Sequence, residues 1–164
     1  MYKCIIGLGN PGAFSKTRHN VGKQFLDSLG TTWKNIKEGE ISMLEGITLY
    51  KPNSFMNICG PQIKLAINRF GVTLEEIIVL HDDVELILGK AKIKKEGSAK
   101  GHNGVRSMIQ TIGNSKFNRL LIGIGRPTSG EISNYVLSPF TRAEQEILYE
   151  KVYPECSKLL GLPI

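Results

Sequence analysis

A small set of polar residues stands where chemistry is possible. His19 follows the polar stretch Ala13-Phe14-Ser15-Lys16-Thr17-Arg18, and Asn10 sits inside Gly7-Leu8-Gly9-Asn10-Pro11-Gly12. His81-Asp82-Asp83 follows the apolar run Ile77–Leu80, and Asn53, Ser54 and Asn57 follow Ile47–Lys51. His102 and Asn103 lie in the glycine-rich stretch Gly97–Gly104. An imidazole is mostly neutral near pH 7, so it is suited to taking a proton from water. A carboxylate on its other ring nitrogen would fix the tautomer and stabilise the imidazolium that forms. Asn amides supply neutral donors of the kind a developing oxyanion requires. Each cluster alone has a plainer explanation: turn chemistry for an Asn, a helix cap for a His, a solvated acidic turn for Asp82-Asp83. Their coincidence after four strands is what argues for a site.

Other chemistries fit the residues less well. Gly7 to Gly12 spells the G-x-G-x-x-G of a dinucleotide site, but such a site needs a helix to begin at the glycines. Here Pro11 and a polar stretch intervene, and helical apolar spacing starts only at Val21, Phe25 and Leu29. No acidic residue stands about 20 positions on; Asp27 comes too early. Ser98 does not stand in a G-x-S-x-G elbow. Cys4, Cys59 and Cys156 are odd in number and widely spaced, as reduced thiols would be. His19, His81, Asp82 and His102 together have a metal-binding composition, yet their spacing matches no metal motif.

The elements that must hold these groups alternate between strand and helix. Apolar runs predict strands over Tyr2–Leu8, Ile47–Lys51, Ile77–Leu80 and Leu120–Ile124, and Lys90–Lys95 alternates as a strand with one wet face. Helical stripes run over Asn20–Leu29, Ile63–Phe70 and Val105–Ile112, each ending at a glycine, and Thr141 opens a last helix disturbed at Pro154. Thr73-Leu74-Glu75-Glu76 has capping-box form for one turn before a strand. Residues 31–45 fit no pattern. Alternating units predict a three-layer α/β/α fold around a twisted, mostly parallel mixed sheet, and such sheets place ligand groups at the carboxyl ends of strands.

The 164 residues carry a net charge of +6, which favours a polyanionic partner, nucleic acid before an anionic membrane. No run approaches the ~20 apolar residues of a membrane span, and the N-terminus does not read as a signal peptide. Lys90, Lys92, Lys94, Lys95 and Lys100 cluster before and within the glycine-rich loop. A row of this kind is either a solvated strand face or a ledge for phosphates, where contacts are salt-sensitive and independent of base sequence.

Six blocks, in order and at compatible spacing, resemble the bacterial peptidyl-tRNA hydrolase family. They are Gly7–Gly12, Thr17-Arg18-His19-Asn20, Lys51-Pro52 with Phe55-Met56-Asn57, His81-Asp82-Asp83, Gly101-His102-Asn103-Gly104, and Gly123-Ile124-Gly125-Arg126-Pro127. The resemblance implies hydrolysis of the ester joining a peptide to the 3′ end of tRNA, recycling tRNA from prematurely released chains. It implies one domain over residues 1–164, monomeric and cytoplasmic, with no metal and no cofactor, acting on peptidyl-tRNA and not at a membrane. By the same resemblance His19 is the base and Asp82 its partner, while Asn10, Phe14, Asn57 and Asn103 line the substrate site. Lys94 falls where the family has a basic residue associated with the tRNA 5′ phosphate; Lys100 and Arg119 are further candidate phosphate contacts on charge. The chain departs from the family in a shorter loop before His19, in Phe14 where Tyr is common, in Lys100, and in Arg119-Leu120-Leu121 where the family has Arg-Leu-Arg. A non-catalytic RNA-binding protein of the same fold is the alternative, against which the retained His19 and Asp82 speak.

Overall fold

In the computed structural model, which describes residues 1–163, seven strands form one sheet. They are β1 (Cys4–Gly7), β2 (Lys34–Ile36), β3 (Gly39–Leu44), β4 (Ile47–Pro52), β5 (Ile77–Asp83), β6 (Ala91–Lys94) and β7 (Asn118–Gly123), in the order β2-β3-β4-β1-β5-β7-β6. The inner strands β4, β1, β5 and β7 are mutually parallel. Their near-continuous apolar runs are what a sheet covered on both faces requires. Alternate residues of β5 divide between two cores: Ile78 and Leu80 on one face, Ile77 and Val79 on the other. Helices α1 (Val21–Ser28) and α6 (Tyr153–Leu160) cover the first face, and α2 (Cys59–Phe70) and α3 (Asn103–Ile112) the second. The predicted three-layer α/β arrangement is therefore observed. Among the described residues no helix is long and apolar enough to cross a membrane.

The glycines of the first turn serve packing. A Cβ on Gly22 would lie 2.4 Å from the Leu80 carbonyl oxygen, and one on Gly7 would lie 2.8 Å from that of Gly22. The first turn of α1 thus rests directly on β1 and β5. This close approach places residues 18–20, a 3-10 turn leading into α1, beside the end of β5. Among the described residues no α-helix begins at these glycines; a single 3-10 turn over Gly12–Phe14 follows them, and α1 starts only at Val21.

Several boundaries differ from expectation, each for a physical reason. The unplaced stretch holds the hairpin partners β2 and β3, whose mixed burial erases any alternation. Strand β5 continues to Asp83, so His81 and Asp82 are strand residues rather than loop residues. A short helix α4 (Ile132–Val136) was not anticipated. The last helical region is α5 (Arg142–Ile147), then a wider turn over residues 148–152, then α6 with Pro154 in its first turn, where a missing N–H is tolerated. Most consequential, β6 runs antiparallel to β7, pairing Lys94 with Arg119. It leaves the sheet at the edge opposite the exits of β1, β4 and β5. The glycine-rich loop must therefore travel back along the molecule to deliver His102 and Asn103.

Candidate active site

The carboxylate of Asp82, at the end of β5 and 4% exposed, is the centre of the site. From one side the Nδ1 of His19 donates to it, at 2.9 Å to both oxygens. From the other side the Nε2 of His102 donates to Oδ1 at 2.9 Å. The His102 tautomer is set by its own helix, because its Nδ1 accepts the backbone N–H of Val105 at 3.2 Å as the N-terminal cap of α3. With Nδ1 of His19 engaged as a donor, its Nε2 is the nitrogen with a free lone pair. The sequence pairing of His19 with Asp82 is thus met in space, and His102, weighed from the sequence only as a loop residue and as a member of a metal-type set, joins them. Burial alone would push the Asp82 carboxyl up, but the charge and hydrogen bonds of the two imidazoles reverse this and hold it well below the usual carboxylate range.

His81 points its Nδ1 at the backbone oxygen of Asp82, at 2.8 Å, and its Nε2 is buried with no partner. Burial, and then the neighbouring His102, pull its pKa down to about 3, so it stays a neutral acceptor. Its ring centroid lies 4.5 Å from that of His102, which lies 4.9 Å from that of His19. A ring nitrogen of His19, a carboxylate oxygen of Asp82 and a ring nitrogen of His102 fall within 4.8 Å of one another, a set that has the composition to hold a metal ion. In this arrangement the same atoms are joined to each other by hydrogen bonds.

Two neighbours missed by sequence reasoning hold the base in place. Asn20 accepts the backbone N–H of Asn10 through Oδ1 and donates through Nδ2 to the Asn10 carbonyl, both at 2.8 Å. It stands at the N-cap of α1 but makes no side-chain cap bond; it splices the β1 turn to the turn bearing His19. Arg18, 7% exposed, pairs with Glu144 at 2.7 Å, sits over the Tyr135 ring and donates to Ser138. It ties the His19 turn to α4 and α5.

The expected substrate residues divide. Asn10 is buried and its Oδ1 accepts the Met56 backbone N–H at 2.7 Å, which turns its Nδ2 donors elsewhere. Asn57 and Asn103 are exposed, and Phe14 is half-buried. Lys94 is half-buried and Lys100 exposed; both border a cavity of about 330 Å³ that His19, Asp82 and His102 also line. Burial, then Lys100, Arg119 and Lys92, lower the Lys94 pKa. Arg119, expected as a phosphate contact, also borders this cavity, but its donors are engaged within the fold. It is 2% exposed, stacks on Phe117, and donates to the Ser98 and Ser115 carbonyls at 3.0 and 2.8 Å.

Comparison with known proteins gives a consistent picture. The family model for peptidyl-tRNA hydrolase matches residues 4–163. A peptidyl-tRNA hydrolase of Listeria welshimeri is 42% identical over 153 residues, spanning 87% of this chain and 83% of the relative. One from Thermodesulfovibrio yellowstonii is 43% identical over 159 residues, spanning 90% and 85%. The crystal structure of peptidyl-tRNA hydrolase from Acinetobacter baumannii superposes with a TM-score of 0.88 at 33% identity, covering 98% of this chain and 88% of that one.

Proposed function

The chain belongs to the peptidyl-tRNA hydrolase family and cleaves the ester between a peptide and its tRNA; we propose that it does so by direct attack of a water molecule whose proton passes to His19. The supporting observation is the Asp82 carboxylate, buried and accepting from His19 Nδ1, which leaves His19 Nε2 as the open base. In the forward step the water oxygen bonds to the ester carbonyl carbon and its proton moves to Nε2. Asp82 stabilises the imidazolium without taking its proton. Collapse of the tetrahedral intermediate breaks the bond to the ribose oxygen, which leaves with the proton from Nε2. A positioned base of this kind contributes about 10²–10⁴-fold.

Asn10 is the proposed oxyanion donor. Its carbonyl oxygen is committed to Met56, so its Nδ2 hydrogens are the ones free to meet substrate. Asn57 and Asn103 would hold the peptide, and Phe14 would pack against substrate. Lys94 and Lys100 would meet tRNA phosphates beside the cavity, independently of base sequence. We place the protein in the cytoplasm as a monomer that recycles tRNA from prematurely released chains, needing no metal or cofactor.

Release of peptide from a purified peptidyl-tRNA tests this. We expect His19→Asn to lower kcat by about 100-fold or more, and a chelator to leave activity intact. A wild type no faster than His19→Asn would support the non-catalytic RNA-binding alternative. Activity lost to chelation and restored by zinc would replace the water-and-histidine mechanism with a metal-assisted one.

A further inference from the structure

We propose that Arg119 is a positioning residue for catalysis: it fastens the loop over residues 95–102 beneath α3 and so holds His102 and Asn103 at the Asp82 carboxylate. Arginine is rarely buried without a purpose for its donors. Arg119 stands on an inner strand with one guanidinium nitrogen on Ser98, ahead of α3, and the other on Ser115, behind it. It thereby pins the segment that enters the helix carrying the site residues at its N-terminus to the segment that leaves it. Phe117 stacks under the guanidinium and fixes its plane.

Ala99 packs the loop against the second core, but few hydrogen bonds hold it. Among the described residues, the bond from Arg119 to the Ser98 carbonyl is the single hydrogen bond that fastens residues 95–101 to the four parallel strands. The one other backbone bond there, His102 N–H to the Ala99 carbonyl at 3.0 Å, lies within the loop itself. The segment contains Gly97 and Gly101 at positive φ and Lys100 at φ 48°, so its backbone does not hold its course through regular structure. Because β6 exits at the far edge, the loop must be turned back, and the Ser98 anchor is the point at which the sheet grips it. Released from that anchor, His102 would keep its α3 cap but lose its fixed distance to Asp82. A shift of about 1 Å at a catalytic constellation costs roughly 10²-fold.

The proposal rests on His19 and Asp82 being the catalytic pair, and the test separates the two. Arg119→Lys keeps the charge but loses the planar fork whose two nitrogens reach the Ser98 and Ser115 carbonyls at once. Expected are a folded protein, faster amide exchange across residues 97–102, a kcat lower by roughly 10- to 100-fold, and a salt dependence of KM equal to wild type. For Arg119→Ala, guanidinium ion should restore part of kcat while methylammonium should not. A direct phosphate contact would give a different pattern: Arg119→Lys near wild type in kcat, and Arg119→Met with a salt slope shallower by about 1. That pattern, or unchanged kcat with unchanged loop exchange, overturns the proposal. His19→Asn assayed beside them reports on the catalytic pair alone: if it stays active, the base assignment fails whatever Arg119 does.

Discussion

Two regions meet at the cavity and are built on opposite terms. Around Asp82 the ionisable groups are buried and matched: one carboxylate accepts from two imidazoles, and each imidazole is fixed by a second contact or by the turn that bears it. Around Lys94 the charges are unmatched. Among the described residues, Lys92, Lys94, Lys95 and Lys100 make no ion pair, and Lys94 is lowered by burial and by its cationic neighbours together. The first region is complete without substrate, as preorganised catalysis requires. The second is a concentration of like charge that an incoming polyanion relieves. On the proposed function, the chemistry is placed by the parallel strands, and the affinity for tRNA by an edge strand and a loop.

The comparison breaks most visibly at Asp82. Asp82→Asn keeps the shape but replaces an acceptor that serves two imidazoles with an amide that can donate, which lets His19 turn its lone pair inward. We expect kcat to fall roughly 10³–10⁴-fold with little change in KM. A loss below tenfold would mean that the matched region is structural and that the chemistry lies elsewhere. The unmatched region should answer differently. Lys94→Met should raise KM several-fold near physiological salt, leave kcat within about twofold, and flatten the slope of log KM against log salt by about 1. An effect on kcat instead would erase the division between the two regions.

The same division explains what could be read from the residues alone. His19 and Asp82 were recoverable because a parallel sheet sends its strand ends to one edge, and the runs Ile77–Leu80 and Tyr2–Leu8 announce such strands. The part played by His102 was not, since it depends on the return of a loop from the opposite edge. A signal for that return did exist. Only residues 84–90 separate β5 from β6, too few for the dozen or more of a parallel crossover. The burial of Arg119, read from the sequence only as a phosphate contact, was not anticipated, because arginine so seldom lies fully buried. Its place between Phe117 and the run Leu120–Ile124, on a strand covered on both faces, was the available warning. Asn20 offered no such hint; its partner is the backbone of a residue ten positions away.

The smallest expected effect concerns stability, and it sharpens the boundary of the dry region. His81 is buried and neutral, with its pKa pulled down to about 3 by burial and by His102. In the unfolded chain the same imidazole titrates near ~6.5. Between those values the unfolded state binds more protons than the native one, so stability rises with pH through this window. Put the other way, the contribution is full above pH ~6.5 and is lost as pH falls towards 3. Asp82 adds a second loss of the same sign, but only below ~4, because its native pKa is depressed from a carboxylate value. His81→Asn removes the first process and keeps a donor for the Asp82 backbone oxygen. Its Tm should therefore change less than that of wild type between pH 6.5 and 4.5, while the fall below pH 4 remains. Lys94→Met, in the wet region, should leave the whole Tm profile parallel to wild type. If His81→Asn and wild type ran parallel across the upper window, the imidazole would have to be gaining protons in the native state, and the sheet edge beside Asp82 would not be dry.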